Sequence, residues 1–568
     1  MASPVVLLVT AAVMGRSLWF FSDDWNIYAD YHSGNLLEPF NGHLSAVPAG
    51  LYQVLFHTVG MGSYWPYRLC GLVALGVLAF QVARFTHHRL GPWAAAFAVT
   101  AVMWNSAGST NVLFPFLMNF SLPIAALLAV WWHLDRRSTG HDAAAAAWLA
   151  LALATSGLGV MALAAAVVEL AVSRAPWRRW AVLSPGVLVW AGWYLTHRDS
   201  SSASTDVGAI VAYCGRMFLG GTTSLAAGWT PGGVILAGLF IALLVVAALR
   251  WRSLDARSLG ALAAPAAFIV LTAVTRLAIV PRIPPDELRY RWAIAAYLVA
   301  AVVVIWRPRT SLGRTGITGG PVGADEPPDT GVVALPRPVL RTAGAVTAVV
   351  LALGAVQLLR GMQDWTDMVS GAAPGLRSNL FAVEAVGPDR IDPGLVLPLS
   401  YVPVTAGGYL GAVADVGSPI ADQDPATFGG RPDQRTEADG ILVAQLPVLL
   451  DGPPADASCT GRVDPARVPP GSRIELAGSD EGLTRVRVTR FTTDPAGPAD
   501  AADGTGPAGG AATDGTGTEL TVPVAPGGAR LELRIPADAP DVAAAGRTRP
   551  YRLDVSGARI VGACAGVG

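Results

Sequence analysis

The chain has 568 residues, of which 52% are hydrophobic and only 14% are charged, and its formal net charge is -1. A soluble protein of this size could not cover so many apolar residues with polar surface, so the composition indicates a membrane protein. The charge excludes a broad basic surface for nucleic acid. The four cysteines are too few for a disulfide scaffold, and none has the spacing of a zinc site.

Apolar runs long enough to cross about 30 Å of hydrocarbon recur along the first two thirds of the chain. They predict a mainly α-helical, polytopic transmembrane bundle of about eleven spans. The predicted spans are 4–21, 65–84, 91–105, 112–134, 143–156, 158–173, 180–197, 231–249, 259–280, 290–306 and 342–359. The pair on either side of Gly157 could instead be one tilted span, which would reverse the orientation of everything after it.

Arginine-rich loops set the predicted orientation, because short basic loops stay on the cytoplasmic side of a membrane. Such loops alternate along the chain at Arg84 and Arg89, Arg136 and Arg137, Arg174, Arg178 and Arg179, and Arg250, Arg252 and Arg257. The loop 22–63 contains no lysine or arginine. We therefore expect a multi-pass protein of the cell membrane with a cytoplasmic amino terminus and loop 22–63 outside.

The last part of the chain differs in composition from the apolar first two thirds. Residues 307–341 are predicted to form a cytoplasmic linker, and 342–359 the last span. Residues 360–568 are predicted to form an extracytoplasmic region. Period-two alternation in its second half predicts strands and a β-rich, sandwich-like domain over about 455–568. Cys459 and Cys564 could form one bridge there if the region lies outside.

Two adjacent carboxylates, Asp23 and Asp24, follow the first span directly. Neighbouring like charges and partial burial against Trp19, Phe20 and Trp25 would raise a carboxyl pKa, which suits a general base. The alternative is that the pair only caps the next helix. Asp23 and Asp24 are the candidate catalytic residues.

The same loop continues with Asn41, Gly42 and His43, ahead of an amphipathic stretch that is predicted to lie along the interface. His43 could orient an acceptor or a phosphate, although a lone loop histidine is more often a hydrogen-bonded turn residue. Asn41 and His43 are candidate substrate-binding residues.

A second loop, 276–291, carries arginines on the side where the charge bias predicts few. They are Arg276, Arg282, Arg289 and Arg291. Guanidinium groups offer forked donors that match phosphate oxygens, so the loop predicts a site for a lipid phosphate. Attraction to ordinary headgroups, or pairing with Asp286 and Glu287, is the alternative. The candidates are Arg282, Arg289 and Tyr290.

These features together resemble bacterial members of the C-type membrane glycosyltransferase superfamily over residues 1–306. The resemblance rests on the acidic pair, the Asn-Gly-His-x-Ser-x-x-Pro segment 41–48, the Ser-Tyr-Trp-Pro-Tyr-Arg segment 63–68, and Arg289-Tyr290. A basic set made only of arginine, in a chain rich in alanine and glycine, indicates a GC-rich bacterial genome. The resemblance is accordingly to a bacterial, actinobacterial member of the superfamily.

The resemblance implies a polyprenyl-phosphate sugar as donor and a glycan or protein of the cell envelope as acceptor. It implies that Asp23 or Asp24 deprotonates or positions the acceptor hydroxyl, with inversion at the anomeric carbon, while the Arg289 region binds the leaving polyprenyl phosphate. Some relatives need a divalent metal, but the first loop offers no dense ligand set, so no metal site is predicted.

Two other functions stay open. Arg16 and Glu169 fall within predicted spans, which would favour a polysaccharide or lipid transporter. A non-catalytic cell-envelope scaffold would depend on residues 455–568 and leave Asp23 and Asp24 dispensable.

Overall fold

The structure is a computed structural model. It describes residues 2–40, 42–136, 138–197, 203–249, 254–278, 283–306, 337–389, 391–397, 399, 403–421, 435–436, 438–441, 448–449, 464–478, 483–490, 519–523, 530–535, 550–556 and 558–564. Asn41, Arg282 and Cys459 lie outside the described residues, and so does most of the predicted linker.

The chain divides into two compact units. The first contains Met1–Ser17, Asn35–Tyr52 and Trp65–Thr366, and the second contains Leu18–Gly34, Gln53–Tyr64 and Asp367–Gly568. Loop 22–63 is therefore shared: its acidic pair belongs to the second unit and His43 to the first.

The predicted mainly α-helical membrane fold is confirmed. The helices are α1 Ala2–Met14, α2 Asp23–Tyr31, α3 Ala46–Val59, α4 Trp65–Leu90, α5 Pro92–Met103, α6 Ser109–Leu113, α7 Met118–Leu134, α8 Thr139–Thr155, α9 Gly159–Val172, α10 Trp177–Trp180, α11 Ser184–His197, α12 Val207–Leu225, α13 Thr230–Leu249, α14 Ala256–Arg276, α15 Leu288–Ile305, α16 Arg337–Val386 and α17 Ala406–Val416.

Six described helices are long and apolar enough to cross a membrane: Trp65–Leu90, Pro115–Leu134, Thr230–Leu249, Ala256–Arg276, Leu288–Ile305 and Gly344–Val386. Three shorter apolar helices lie at Ser3–Ser17, Pro92–Met103 and Gly159–Val172. The break around Gly157 is present, because α8 and α9 are separate helices on either side of it. The count of eleven spans and their orientation stay predictions.

Helix α12 is a long helix in a segment where the sequence predicted no span. Its apolar residues are diluted by Arg216 and by a run of small and polar residues at 220–224, so no apolar run of spanning length stands out. Its contacts explain the helix: the Tyr213 hydroxyl donates to the Ile283 carbonyl at 3.0 Å, and Gly220 and Gly221 let α12 approach Arg291 and Ile294 of α15.

Helix α16 also differs from expectation, since it continues well beyond the predicted span end at 359. Hydropathy marks the end of an apolar run and not the end of a helix. The segment after 359 becomes polar at Arg360 and Asp364, and the helix continues through Pro374 to Val386.

Side chains from other elements satisfy carbonyl groups in the last turns of several helices of the first unit. These carbonyls have no partner within their own helix. Arg68 donates to Ala11 of α1 at 2.6 Å, Trp292 to Val102 of α5 at 3.0 Å, Arg179 to Leu134 of α7 at 2.6 Å, and Ser106 to Ser224 of α12 at 2.9 Å. Arg68, part of the motif 63–68, therefore has a structural role.

Glu169, the residue that would favour transport, is held in a buried ion pair. Arg257 donates to both of its carboxylate oxygens at 2.6 Å and lies 3.1 Å from Asp135. The side chains of Arg257 and Glu169 are 7% and 11% exposed. Arg257 also donates to the Trp131 carbonyl, which joins α14 to α7 and α9. The charge of Glu169 is therefore compensated by Arg257, so its position inside the bundle is explained by an ion pair.

The second unit contains α2, α17, the second part of α16 and the β-rich region. Its strands there are β5 Val448–Leu449, β6 Arg473–Gly478, β7 Leu483–Thr489, β8 Glu519–Pro523, β9 Arg530–Arg534, β10 Arg552–Ser556 and β11 Ala558–Cys564. Short pairs β1 Pro39–Phe40 with β2 His43–Leu44, and β3 Val396–Leu397 with β4 Val404–Thr405, lie earlier in the chain.

Two antiparallel sheets form the β-rich region, in the orders β10-β7-β8 and β11-β6-β9-β5. Alternate residues are buried, as Ile474 and Leu476 show in β6 and Val486 and Val488 in β7. The predicted period-two pattern therefore does form strands with one buried face. Cys564 is disulfide-bonded.

We predict that Arg257→Met destabilises the protein by about 3–5 kcal/mol, because it leaves Glu169 buried and uncompensated. The measurement is thermal unfolding in detergent, followed by size-exclusion chromatography. Arg291→Gln is the control: it removes the more exposed pair with Asp286 and should cost less than about 1 kcal/mol. Equal losses in both variants would contradict the prediction.

Candidate active site

The two carboxylates of the first loop have different surroundings in the second unit. Asp24 is completely buried, and its Oδ2 accepts hydrogen bonds from the Tyr64 hydroxyl at 2.7 Å and from the Phe21 amide at 3.1 Å. The Phe21 contact is a capping interaction at the start of α2, where a carboxylate is also favoured by the helix dipole. Asp23, one residue earlier, is partly exposed.

Aromatic rings surround this helix start. Trp19 contacts Trp25 with ring centroids 5.2 Å apart, and Phe20 contacts Tyr64 at 4.7 Å, both edge-on. Through Tyr64, which contacts Phe20 and donates to Asp24, this group of rings adjoins the buried carboxylate. Asp24 itself is shielded from water, since its exposed fraction is 0%.

The chain after residue 380 holds α2 in place within the same unit. The Tyr28 hydroxyl donates to the Gly417 carbonyl at 2.6 Å, and the Tyr409 ring lies 6.4 Å from that of Trp25. Tyr409 in turn donates to Glu384, a carboxylate only 3% exposed, at 2.6 Å. Sequence reasoning missed Glu384 and Tyr409 because no local pattern signals a contact across more than 350 residues.

A cationic group accompanies the acidic pair. The guanidinium carbon of Arg377, on α16, lies 4.6 Å from the ring centroid of Trp19. Arginine over an indole face is a favourable cation–π contact. The second unit thus brings a positive charge onto the aromatic shell of the carboxylates, which the sequence gave no reason to expect.

His43 lies in the first unit, in the short hairpin β1–β2. Its Nδ1 is close to Gly157, where an added Cβ would be 2.8 Å away, so the break between α8 and α9 needs glycine to accept the imidazole. Burial, followed by the positive charge of Arg276, lowers the pKa of His43 to about 4. His43 is therefore neutral at pH 7 and offers a hydrogen bond instead of a charge.

The arginines around the start of α15 separate into paired and unpaired groups. Arg291 pairs with Asp286 at 3.0 Å, which is the alternative that the sequence left open for this loop. The Arg289 guanidinium lies 5.5 Å from the ring centroid of Tyr290, and its buried Nε has no hydrogen-bond partner among the described residues.

Tyr290 is 3% exposed, and its hydroxyl also lacks a partner within the described ranges. Arg276 is close enough to act electrostatically on both His43 and Tyr213, and Tyr213 is in turn close to Tyr290. The first unit therefore groups His43, Arg276, Tyr213 and Tyr290. Arg276, named with the loop but not among the candidates, is the residue that connects them.

The described residues contain no group of three or more histidine, cysteine, aspartate or glutamate side chains that could hold a metal ion.

Comparison with known proteins finds a similarity to solved structures. The chain is similar to ArnT from Cupriavidus metallidurans bound to undecaprenyl phosphate, at 17% identity and a TM-score of 0.43, over 77% of this chain and 90% of that one. The apo state of ArnT gives 16% identity and 0.42, over 78% and 91%. No protein-family model matches the chain, and no curated protein matches it. A similarity of this size carries no inference about activity.

We predict that Tyr64→Phe destabilises the second unit by about 1–3 kcal/mol, because the buried Asp24 loses a hydroxyl donor. Differential scanning fluorimetry of the purified protein measures the effect. Tyr194→Phe, at a tyrosine that is 46% exposed, is the matched control and should leave the unfolding temperature unchanged. No difference between the two variants would show that the Tyr64 contact is dispensable.

A second prediction concerns pH. The folded state holds the pKa of His43 at about 4, below the usual value of 6.5. Between these two pH values His43 is therefore protonated in the unfolded chain but not in the folded one. Stability should therefore fall as the pH drops from about 6.5 to about 4.

His43→Gln should remove this part of the pH dependence. Unfolding temperatures at pH 7.5, 6.0 and 5.0 measure it, with His87→Gln, at an exposed histidine, as the control. A His43→Gln profile as steep as that of the unsubstituted protein would refute the assignment.

Proposed function

We propose that this protein is a membrane glycosyltransferase that moves a sugar from a polyprenyl phosphate to a cell-envelope acceptor on the outer face of the membrane. The observation that carries the proposal is the unequal acidic pair at the start of α2. One carboxylate is buried and hydrogen-bonded, and its neighbour is partly exposed. Such a pair can divide its tasks, since one member fixes the helix and the other meets a substrate.

Asp23 is the proposed general base. It accepts the proton of an acceptor hydroxyl while that oxygen forms a bond to the anomeric carbon. The bond from this carbon to the phosphate oxygen breaks, and its electron pair leaves with the polyprenyl phosphate, so the configuration inverts. The phosphate needs little protonation as it leaves. Asp24 is proposed to act through α2, by holding Asp23 at the helix start.

The proposed phosphate ligands lie in the first unit. Arg276 and Arg289 supply positive charge, Tyr290 supplies a buried hydroxyl, and neutral His43 supplies an N–H group. Guanidinium groups suit this role because they donate in a fork and stay charged at any working pH. They stabilise the charge that develops on the leaving phosphate. Asn41 and Arg282 keep their proposed part in substrate binding on the sequence pattern alone.

The transporter alternative is weakened by the pairing of Glu169 with Arg257. The scaffold alternative makes a different prediction about the acidic pair, so the same experiment separates it from the enzyme.

The test is sugar transfer in membranes from a panel of radiolabelled sugars on undecaprenyl phosphate, the lipid bound in the ArnT structure named above. We expect Asp23→Asn to lower the rate about 100-fold or more, which is the range of general-base catalysis. Asp24→Asn should lose less, because an amide oxygen can still accept from Tyr64 and Phe21.

Asp30→Asn is the matched control: it removes an exposed carboxylate from the same helix and should leave transfer unchanged. Expression and unfolding temperature are compared for all three variants. Transfer that is unchanged in Asp23→Asn would remove Asp23 from the mechanism, and no transfer from any donor would favour the scaffold.

A further inference from the structure

A second basic site lies at the carboxyl-terminal ends of α4 and α7, away from the residues proposed to act in sugar transfer. Two guanidinium groups approach the same indole ring there. The guanidinium carbon of Arg84, on α4, is 4.5 Å from the ring centroid of Trp132, and that of Arg136, just after α7, is 3.5 Å from it. Arg136 also donates to the Trp132 carbonyl at 2.7 Å. Arg84, Trp132, Arg136 and the histidines described next form the Trp132 cluster.

Two histidines extend the cluster. Nδ1 of His133 and Nδ1 of His141 are 2.9 Å apart, so one ring donates this hydrogen bond and the other accepts it. Each ring keeps its Nε2, and any protonation would add positive charge. The cluster therefore contains only neutral or positive groups, contributed by α4, α7 and the start of α8.

The carboxylates nearest to it in the chain are occupied elsewhere. Asp135 pairs with Arg257 at 3.1 Å and with Arg89 at 3.6 Å, and Asp142 lies 3.5 Å from Arg179. Nε and Nη2 of Arg84 are buried, and neither has a hydrogen-bond partner in the part of the chain that the structure describes. Two like charges over one ring repel each other, and buried guanidinium donors without acceptors are costly. An anion would remove both costs.

The position of the cluster indicates which anion. Arg84 lies in the last two turns of the candidate span Trp65–Leu90, and Trp132 lies in the last turn of Pro115–Leu134. The ends of membrane helices lie at the depth of lipid headgroups, where arginine and tryptophan are favoured. The aromatic face of Trp132 holds the guanidinium planes, and phosphate oxygens match their forked donors.

We propose that the Trp132 cluster binds the phosphate of an anionic membrane lipid. Arg84 and Arg136 donate to the phosphate oxygens, and Trp132 orients both guanidinium groups. This site is independent of the proposed sugar transfer and lies at the end of the bundle that the basic loops predict to be cytoplasmic.

The test is lipid binding by purified full-length protein in detergent, measured by native mass spectrometry during titration with phosphatidylglycerol. We expect Arg84→Gln and Arg136→Gln each to weaken binding about tenfold, as the loss of a charge-assisted hydrogen bond would. Arg84→Lys keeps the charge and should recover part of the affinity. Phosphatidylcholine is titrated in parallel and should bind weakly and equally to all variants.

Arg178→Gln is the matched control. Arg178 is an exposed arginine on α10 at the same end of the bundle, as the contact of its neighbour Arg179 with Leu134 shows. It should change binding less than twofold. Equal weakening in Arg84→Gln and Arg178→Gln would overturn the proposal in favour of general charge attraction.

The unfolding temperature of each variant separates loss of lipid binding from loss of fold. If Arg84→Gln is unstable, Arg84→Lys and Arg136→Gln still test the site. In a second experiment, inorganic phosphate at millimolar concentration is added as a competitor of phosphatidylglycerol binding. Competition that is lost in Arg84→Gln would identify free phosphate as an alternative source of the same chemistry, whereas phosphatidylglycerol binding that no variant weakens would refute the site.

Discussion

Backbone carbonyls at helix ends have no water to bind inside a membrane, and much of the first unit is arranged around this constraint. The last turn of a helix leaves carbonyl groups without a partner in that helix. Side chains from other helices donate to some of them: Arg68 to α1, Trp292 to α5 and Arg179 to α7. These hydrogen bonds join α1 to α4, α5 to α15 and α7 to α10.

The same requirement explains how arginine is used in this chain. Arg257 and Arg179 each satisfy a backbone carbonyl and a carboxylate at once, so their charges are compensated inside the bundle. Arg84, Arg136 and Arg289 lie over aromatic rings without a described carboxylate partner. Arginines of the first kind hold helices together. Those of the second kind remain available to a ligand, and they occur near both ends of the helical bundle.

In the second unit, burial makes two identical side chains chemically different. Asp24 is buried and held by the Tyr64 hydroxyl, whereas Asp23 is partly exposed. Helix α2 gains further support from Tyr409 of α17, which is in turn held by Glu384 near the end of α16. The C-terminal part of the protein thus contributes to the acidic site by positioning α2, in addition to forming its two small sheets.

The sequence by itself determined the membrane class, the larger helices and the period-two strands, because hydropathy and alternation are local properties; it marked the acidic pair as a candidate site. It also located the break at Gly157. It did not find helix α12 or the full length of α16, since neither follows from the length of an apolar run. Only the tertiary structure decided that Asp24 is buried while Asp23 is partly exposed, that the charge of Arg276 acts on His43, and that Glu384 supports α2 through Tyr409. These relations join residues far apart in the chain, and packing alone brings them together.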